Sequence, residues 1–234
     1  MDFDYRIEPI AECSILIVFE HEPNAETSQL VRCVSDALQA ELAEWLMNIT
    51  PSYNTILIDY LPHRISIFDF CTRTETLINS LQPQLNAHSD TIQLPAYYDL
   101  SVGPDLTLYF DRGLSLEDVI RLHSDKQYTV GAIGFAPGFA FLTEVDPQLK
   151  LPRKDTPRLS LPKGSIAIAE KQTAVYPDRS PGGWNIIGNC PLVLYSPNQE
   201  PMIPFTVGQK VRFKPISQAE FIELGGTIHK EDFV

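Results

Sequence analysis

The stretch that decides the fold runs from Ile133 to Pro191: IGFAPGFAFL at 133–142, LPRKDTPRLSLPKGSIAIAEKQTAVYP at 151–177 and DRSPGGWNIIGNCP at 178–191. Seven of the 12 glycines lie between Gly131 and Gly188, with prolines set among them. Proline removes a backbone donor and glycine raises the entropy cost of ordering, so no helix survives that spacing. Short apolar runs lie between the breaks, at Ser165–Ala169, Thr173–Tyr176 and Trp184–Ile187. They read as strands joined by tight turns, the pattern of a barrel or a sandwich. Backbone fixed this densely points to loops shaped for contact.

Upstream of that stretch, Tyr5–Ile10 and Ser14–Phe19 read as a β-hairpin. From Gln29 on, Leu30, Val31, Val34, Leu38, Leu42, Trp45, Leu46 and Ile49 recur on one face. That spacing predicts a helix capped by Thr27 or Ser28 and ended by Pro51. Ile56–Ile58 mark a buried strand within Tyr53–Tyr60, and a second helix is expected over Ile67–Leu81, capped by Ser66 with Asp69 three residues on. Gln82–Asp90 is polar and lacks periodicity, which places a domain boundary there and gives an α+β domain at 1–88 and a second domain at 89–234. The second domain opens with a strand at Thr91–Tyr97 that Pro95 keeps at an edge or bulge. A short helix follows around Asp105–Phe110, then a helix with a Ser115/Asp118 capping box ending near His123, then β structure over Tyr128–Phe135. Leu192–Tyr195 and Val211–Phe213 read as closing strands, and Phe221–Ile228 as a last apolar segment.

The net charge of −12 argues against nucleic acid or an anionic membrane as a partner, because both would be repelled. The charge is uneven. Lys150, Arg153, Lys154, Arg158, Lys163 and Lys171 face only Asp155 and Glu170 in that segment, a net of +4 that leaves −16 for the remainder. Such an island suits a small anion or an acidic partner surface, and equally a solvated loop. Cys13, Cys33, Cys71 and Cys190 form no CxxC pair, which fits reduced thiols. The acidic start MDFDYRIEPIAE lacks an apolar signal core and the run Ile15–Phe19 is too short to span a bilayer, so a soluble cytoplasmic protein is expected.

HExxH, GxSxG, Walker A and post-strand GxGxxG motifs are all missing, and the five histidines never sit at i and i+4. No metal site is expected. His123, at the end of a predicted helix, suits either proton transfer or a favourable contact with the helix dipole. Arg153 and Arg158, each after a proline, suit a carboxylate or phosphate, or else a structural ion pair. In Ser180-Pro181-Gly182-Gly183-Trp184 the paired glycines permit positive φ and converging N–H groups, with Trp184 as an apolar wall; the alternative is a tight turn over a core tryptophan. Phe135, Pro137, Gly138 and Phe139 form a similar loop, and Gln172, Thr173 and Tyr176 add polar groups nearby.

IGFAPGFAFL, the two PR pairs, PKGSIAIA, QTAVYP and SPGGWNIIG, together with Gly103-Pro104-Asp105 and Ile120-Arg121-Leu122-His123, resemble the signature of the KipI/PxpB family, also labelled allophanate hydrolase subunit 1. The resemblance implies a small N-terminal α+β domain followed by a cyclophilin-like β-barrel. It implies one subunit of an ATP-dependent 5-oxoprolinase that opens 5-oxo-L-proline to L-glutamate with a KipA/PxpC-like partner and a LamB/YcsF-like protein. ATP, with Mg, belongs to the assembled complex, and the chain alone is expected to be inactive. His123 and Arg158 take the catalytic roles; Phe135, Pro137, Gly138, Phe139, Arg153, Gln172, Tyr176, Ser180, Pro181, Gly182, Gly183 and Trp184 take the binding ones. The sequence departs from the family pattern at Gly138–Leu142, at Ala169–Pro177, and at Asn189-Cys190, where an arginine and a threonine are usual. Two other readings accompany the resemblance: a protein-binding inhibitor of a histidine kinase, and a subunit of a urea/allophanate amide hydrolase.

Overall fold

A computed structural model describes residues 4–82 and 91–228, which fall into two compact units. The first lies within Met1–Ser89 and includes Thr206–Gly208. The expected boundary at Gln82–Asp90 lies outside the described residues beyond Gln82.

The first unit is built from β1 (Tyr5–Ala11), β2 (Ser14–Phe19), α1 (Ala25–Glu41), β3 (Leu46–Ser52), β4 (Thr55–Tyr60) and α2 (Ile67–Ser80). Its strands run antiparallel in the order β1-β2-β4-β3. Period-two alternation sends Ile15, Ile17, Phe19, Ile56, Ile58 and Tyr60 inward, where Val31, Val34, Leu38, Phe70 and Ile78 of the helices join them. Ser66 caps α2 through the Asp69 amide, as expected, whereas α1 is capped by Asn24 and not by Thr27 or Ser28. The helix expected to continue to Ile49 stops eight residues earlier, at Glu41. Leu42 leaves helical geometry (φ −112°, ψ 10°), one 3-10 turn follows at Ala43–Trp45, and Pro51 sits within strand β3. Trp45, Leu46 and Ile49 keep helical spacing only because a turn followed by a strand reproduces it.

The second unit holds β5 (Ile92–Ala96), a 3-10 turn at Pro104–Leu106 leading into α3 (Thr107–Phe110), α4 (Leu116–Ser124), β6 (Tyr128–Ile133), β7 (Ala140–Thr143), β8 (Arg158–Leu161), β9 (Ser165–Ala169), β10 (Gln172–Val175), β11 (Ser180–Gly182), β12 (Asn185–Asn189), β13 (Lys210–Pro215) and α5 (Gln218–Glu223). It is a mostly antiparallel sheet with a few helices. The order is β5-β13-β6-β7-β10-β9-β12, with β5 and β13 parallel, and β8 pairs with β11 in a separate ribbon. Next to β5, Tyr97 exchanges two backbone hydrogen bonds of 2.9 Å with Asn189 of β12. The Ser115/Asp118 capping box forms as expected.

Leu192–Tyr195 is not a strand. Leu194 is buried between exposed Val193 and Tyr195, so the run alternates like a strand, but prolines at 191 and 197 bracket it and it joins no ladder. Phe221 belongs to helix α5, capped by Ser217 with Glu220.

Every residue of β9 is buried, because alternate side chains serve two cores. Ile166 and Ile168 enter one with Leu94, Leu142 and Phe213; Ala167 and Ala169 enter another with Phe139, Tyr176, Trp184 and Ile186. That accounts for the unbroken apolar run SIAIA.

Candidate functional site

The second core opens to the surface in a pocket of about 180 Å³. Phe139 is its centre, with ring centroids 5.2 Å from Phe135 and Tyr176, 4.9 Å from Phe141 and 5.7 Å from Trp184, all edge-on. Two basic residues join the aromatic lining. The Arg153 guanidinium lies 5.8 Å from the Trp184 ring centre, and Lys154 hydrogen-bonds through its backbone amide to the Gly183 carbonyl at 2.8 Å. Pro157, Gly182 and Gly183 complete the lining, which contains no carboxylate among the described residues.

Seven of the residues expected from sequence meet here: Phe135, Phe139, Arg153, Tyr176, Gly182, Gly183 and Trp184. Pro137 and Gly138 sit in the turn before β7, Ser180 and Pro181 precede Gly182 in β11, and Gln172 pairs with Thr143 and Ala169; these do not line the pocket. The paired glycines do not adopt positive φ, contrary to the expectation of a nest of converging N–H groups. Gly182 is needed for close approach instead. A Cβ there would overlap the Tyr176 hydroxyl and lie 2.7 Å from Leu161 Cδ1. Burial pushes the Tyr176 hydroxyl up to about 12, against the opposing pull of the Trp184 backbone amide and Arg153. The phenol therefore keeps its proton at neutral pH.

Arg158 does not line the pocket. Its fork closes on Asp105, Nη1 to Oδ2 at 2.7 Å and Nη2 to Oδ1 at 3.0 Å. Asp105, only 4% exposed, also receives Lys154 Nζ at 2.6 Å and the Ile186 amide at 2.7 Å. Burial alone would raise this carboxyl, but the bonds from Arg158, Lys154 and Ile186 outweigh it and hold the group below its ordinary value. Asp105, Lys154, Pro157 and Phe141 are not among the site residues expected from sequence, although all four lie in segments that the sequence marks. A doublet of cations after a proline was the available signal for Lys154, and the Gly103-Pro104-Asp105 match was the one for Asp105.

His123 departs furthest from expectation. It is fully buried, away from the pocket lining, with Nδ1 2.7 Å from the Tyr98 hydroxyl and Nε2 3.0 Å from Thr173 Oγ1. Thr173 donates its own proton to the Ala167 carbonyl, so Nε2 carries hydrogen and Nδ1 accepts from Tyr98. Both nitrogens are satisfied in the neutral ring, and burial pulls its pKa down to about 3. It neither relays protons to a ligand nor places a cation at the helix end. Between about pH 3 and 6.5 the unfolded chain takes up a proton that the folded chain refuses. Stability should therefore fall as pH drops below 6.5, with a slope approaching about 1.4 kcal/mol per pH unit from this group. Urea unfolding at pH 4 to 7 should show His123→Gln with a flatter profile than wild type. Parallel profiles would contradict the assignment.

The carboxyltransferase domain, subdomain C and D, family model matches residues 5–205. The chain belongs to this family. Its motif-based placement with the KipI/PxpB proteins stands as well: the B-type 5-oxoprolinase subunit of Bacillus subtilis is 31% identical over 94% of this chain and 97% of its own length, and that of Haemophilus influenzae is 37% identical over 89% and 96%. Among solved structures, TTHA0988 is 34% identical with a TM-score of 0.78, over 87% of this chain and 40% of that one. This family member therefore spans well under half of that longer chain. Kluyveromyces lactis urea carboxylase shares the fold at 14% identity, with a TM-score of 0.66 over 94% of this chain and 22% of that one. Among the described residues no helix is long and apolar enough to cross a membrane.

Proposed function

We propose that this chain is one subunit of an ATP-dependent 5-oxoprolinase, opening 5-oxo-L-proline to L-glutamate with a KipA/PxpC-like partner and a LamB/YcsF-like protein. The observation that carries the reading is the pocket itself: aromatic walls, two cations and no carboxylate in its lining. Such a site suits a small, flat, apolar ring bearing one carboxylate. Arg153 and Lys154 would take the carboxylate, Phe139 and Trp184 the ring faces, and the Tyr176 hydroxyl the lactam carbonyl. At about 180 Å³ the pocket is too small for a nucleotide, and no glycine-rich phosphate loop borders it, so ATP and Mg are assigned to the partner subunits and inactivity to this chain alone. The two hydrogen bonds between Tyr97 and Asn189 support a cyclophilin-like barrel for residues 89–234, beside an α+β domain at 1–88. Four free cysteines support a cytoplasmic location.

Phe135 holds φ +70° while 66% exposed, a backbone state that is strained for a bulky residue and is retained at sites of contact. Phe135→Gly should leave the thermal midpoint unchanged or raised, yet lower kcat/KM for 5-oxoproline about tenfold by removing one pocket wall. Loss of stability with full activity would contradict this. The reading as a whole is tested by 5-oxoproline-dependent ATP hydrolysis. Activity should appear only in the complete mixture and vanish when this chain is omitted. A stable complex without that activity would overturn the substrate.

A further inference from the structure

We propose that Asp105 is a positioning residue of this pocket, holding the Lys154 ammonium at the pocket wall. The inference rests on the reading of the pocket as the substrate site. A lysine carries a flexible four-carbon stem, and an unpaired ammonium at a pocket rim would sample many positions. Lys154 is held at both ends: its amide binds the Gly183 carbonyl at 2.8 Å and its Nζ binds Asp105 Oδ1 at 2.6 Å. Asp105 is itself held by several partners. The Arg158 fork uses both of its oxygens, and Oδ2 also accepts the Ile186 amide, two residues after the pocket wall at Trp184. That anchorage depends on a close approach, since a Cβ on Gly103 would lie 2.5 Å from the Ile187 carbonyl oxygen.

The electrostatics suit an anionic ligand. One carboxylate against three cations, Arg153, Lys154 and Arg158, leaves a net positive charge, and Asp105, 4% exposed, is itself withdrawn from a ligand while Lys154 lines the cavity. An ammonium has three donors, so the one given to Asp105 leaves others for a carboxylate. Asp105 thus acts through Lys154 and touches no substrate.

A double-mutant cycle in the assembled complex tests this. Asp105→Asn and Lys154→Gln should each lower kcat/KM for 5-oxoproline about tenfold, and the double variant should also lose about tenfold, since the two changes remove one function. A purely structural Asp105 predicts about a hundredfold loss in the double variant, which would overturn the proposal. An independent readout is reductive methylation followed by peptide mass spectrometry. Lys154 in Asp105→Asn should react at least about threefold faster, relative to Lys150, than in wild type. An unchanged ratio overturns the positioning role even if the complex proves inactive on 5-oxoproline, so failure of the substrate reading is separately visible. Should Asp105→Asn not fold, Asp105→Glu takes its place in the methylation measurement, since it keeps the charge but displaces it by one methylene: a raised Lys154 ratio supports the role, and an unchanged ratio overturns it.

Discussion

Asp105→Ala is expected to destabilise the second unit by about 3–5 kcal/mol, the range for breaking a buried ion pair by removing one partner. The loss has three sources. Arg158 and Lys154, with side chains 17% and 24% exposed, are left as part-buried cations without their shared carboxylate. The Ile186 amide, in a fully buried strand, loses its acceptor as well. Urea unfolding should show a lower midpoint with an unchanged slope, because the surface exposed on unfolding hardly alters. Asp105→Asn should fall between the two, since its amide oxygen still accepts from Ile186 and from one donor of Arg158. A midpoint within experimental error of wild type for Asp105→Ala would show that the cations relax into water, and that the network does not hold β8 against β12.

Phe139→Ala should cost about 3–5 kcal/mol as well, for a different reason. The ring is 2% exposed and makes edge contacts with Phe135, Phe141, Tyr176 and Trp184. Truncation empties the middle of the second core, and four rings cannot all collapse into the vacancy. Phe139→Leu keeps most of the volume and should lose less than half as much, roughly the difference between a filled and an unfilled cavity. The functional consequence should exceed the structural one. With Phe139 gone, Tyr176 and Trp184 lose their fixed orientation, so ring-opening should fall even at temperatures where the variant is fully folded. Calorimetric melting with activity measured well below the midpoint separates the two. Full activity from folded Phe139→Ala would remove Phe139 from the ligand wall.

Much of the fold was legible because local signals were strong and agreed with packing. Ser66 with Asp69 and Ser115 with Asp118 announced two helix starts, and both form. The hairpin of β1 and β2 followed from two β-rich runs only three residues apart. Misreadings arose where one spacing fits two structures. Trp45, Leu46 and Ile49 kept a helical period across a turn and a strand, and Leu192–Tyr195 alternated without a ladder partner. At the site, aromatic and glycine motifs led to six of the lining residues and a Pro-Arg pair to the seventh, Arg153, because a dense glycine-proline segment is costly unless it shapes something. Residue order offers no view of what surrounds a side chain. His123 reads as a usable acid–base group until its complete burial is known, and Arg158 reads as a ligand fork until Asp105, 53 residues upstream, is found inside it. Both misses concern long-range partners, which spacing along the chain does not encode.

The most direct test of the central claim, that the pocket between Phe139 and Trp184 takes 5-oxoproline, uses the two tryptophans of the chain. With 5-fluorotryptophan incorporated into this subunit and unlabelled partners added, fluorine NMR reports Trp184 at the pocket and Trp45 in the first unit as an internal control. Titration with 5-oxo-L-proline should shift the Trp184 resonance saturably while Trp45 stays fixed, and Arg153→Gln should weaken that response. Turnover that saturates while the Trp184 resonance does not move would place the substrate elsewhere in the complex and contradict the account.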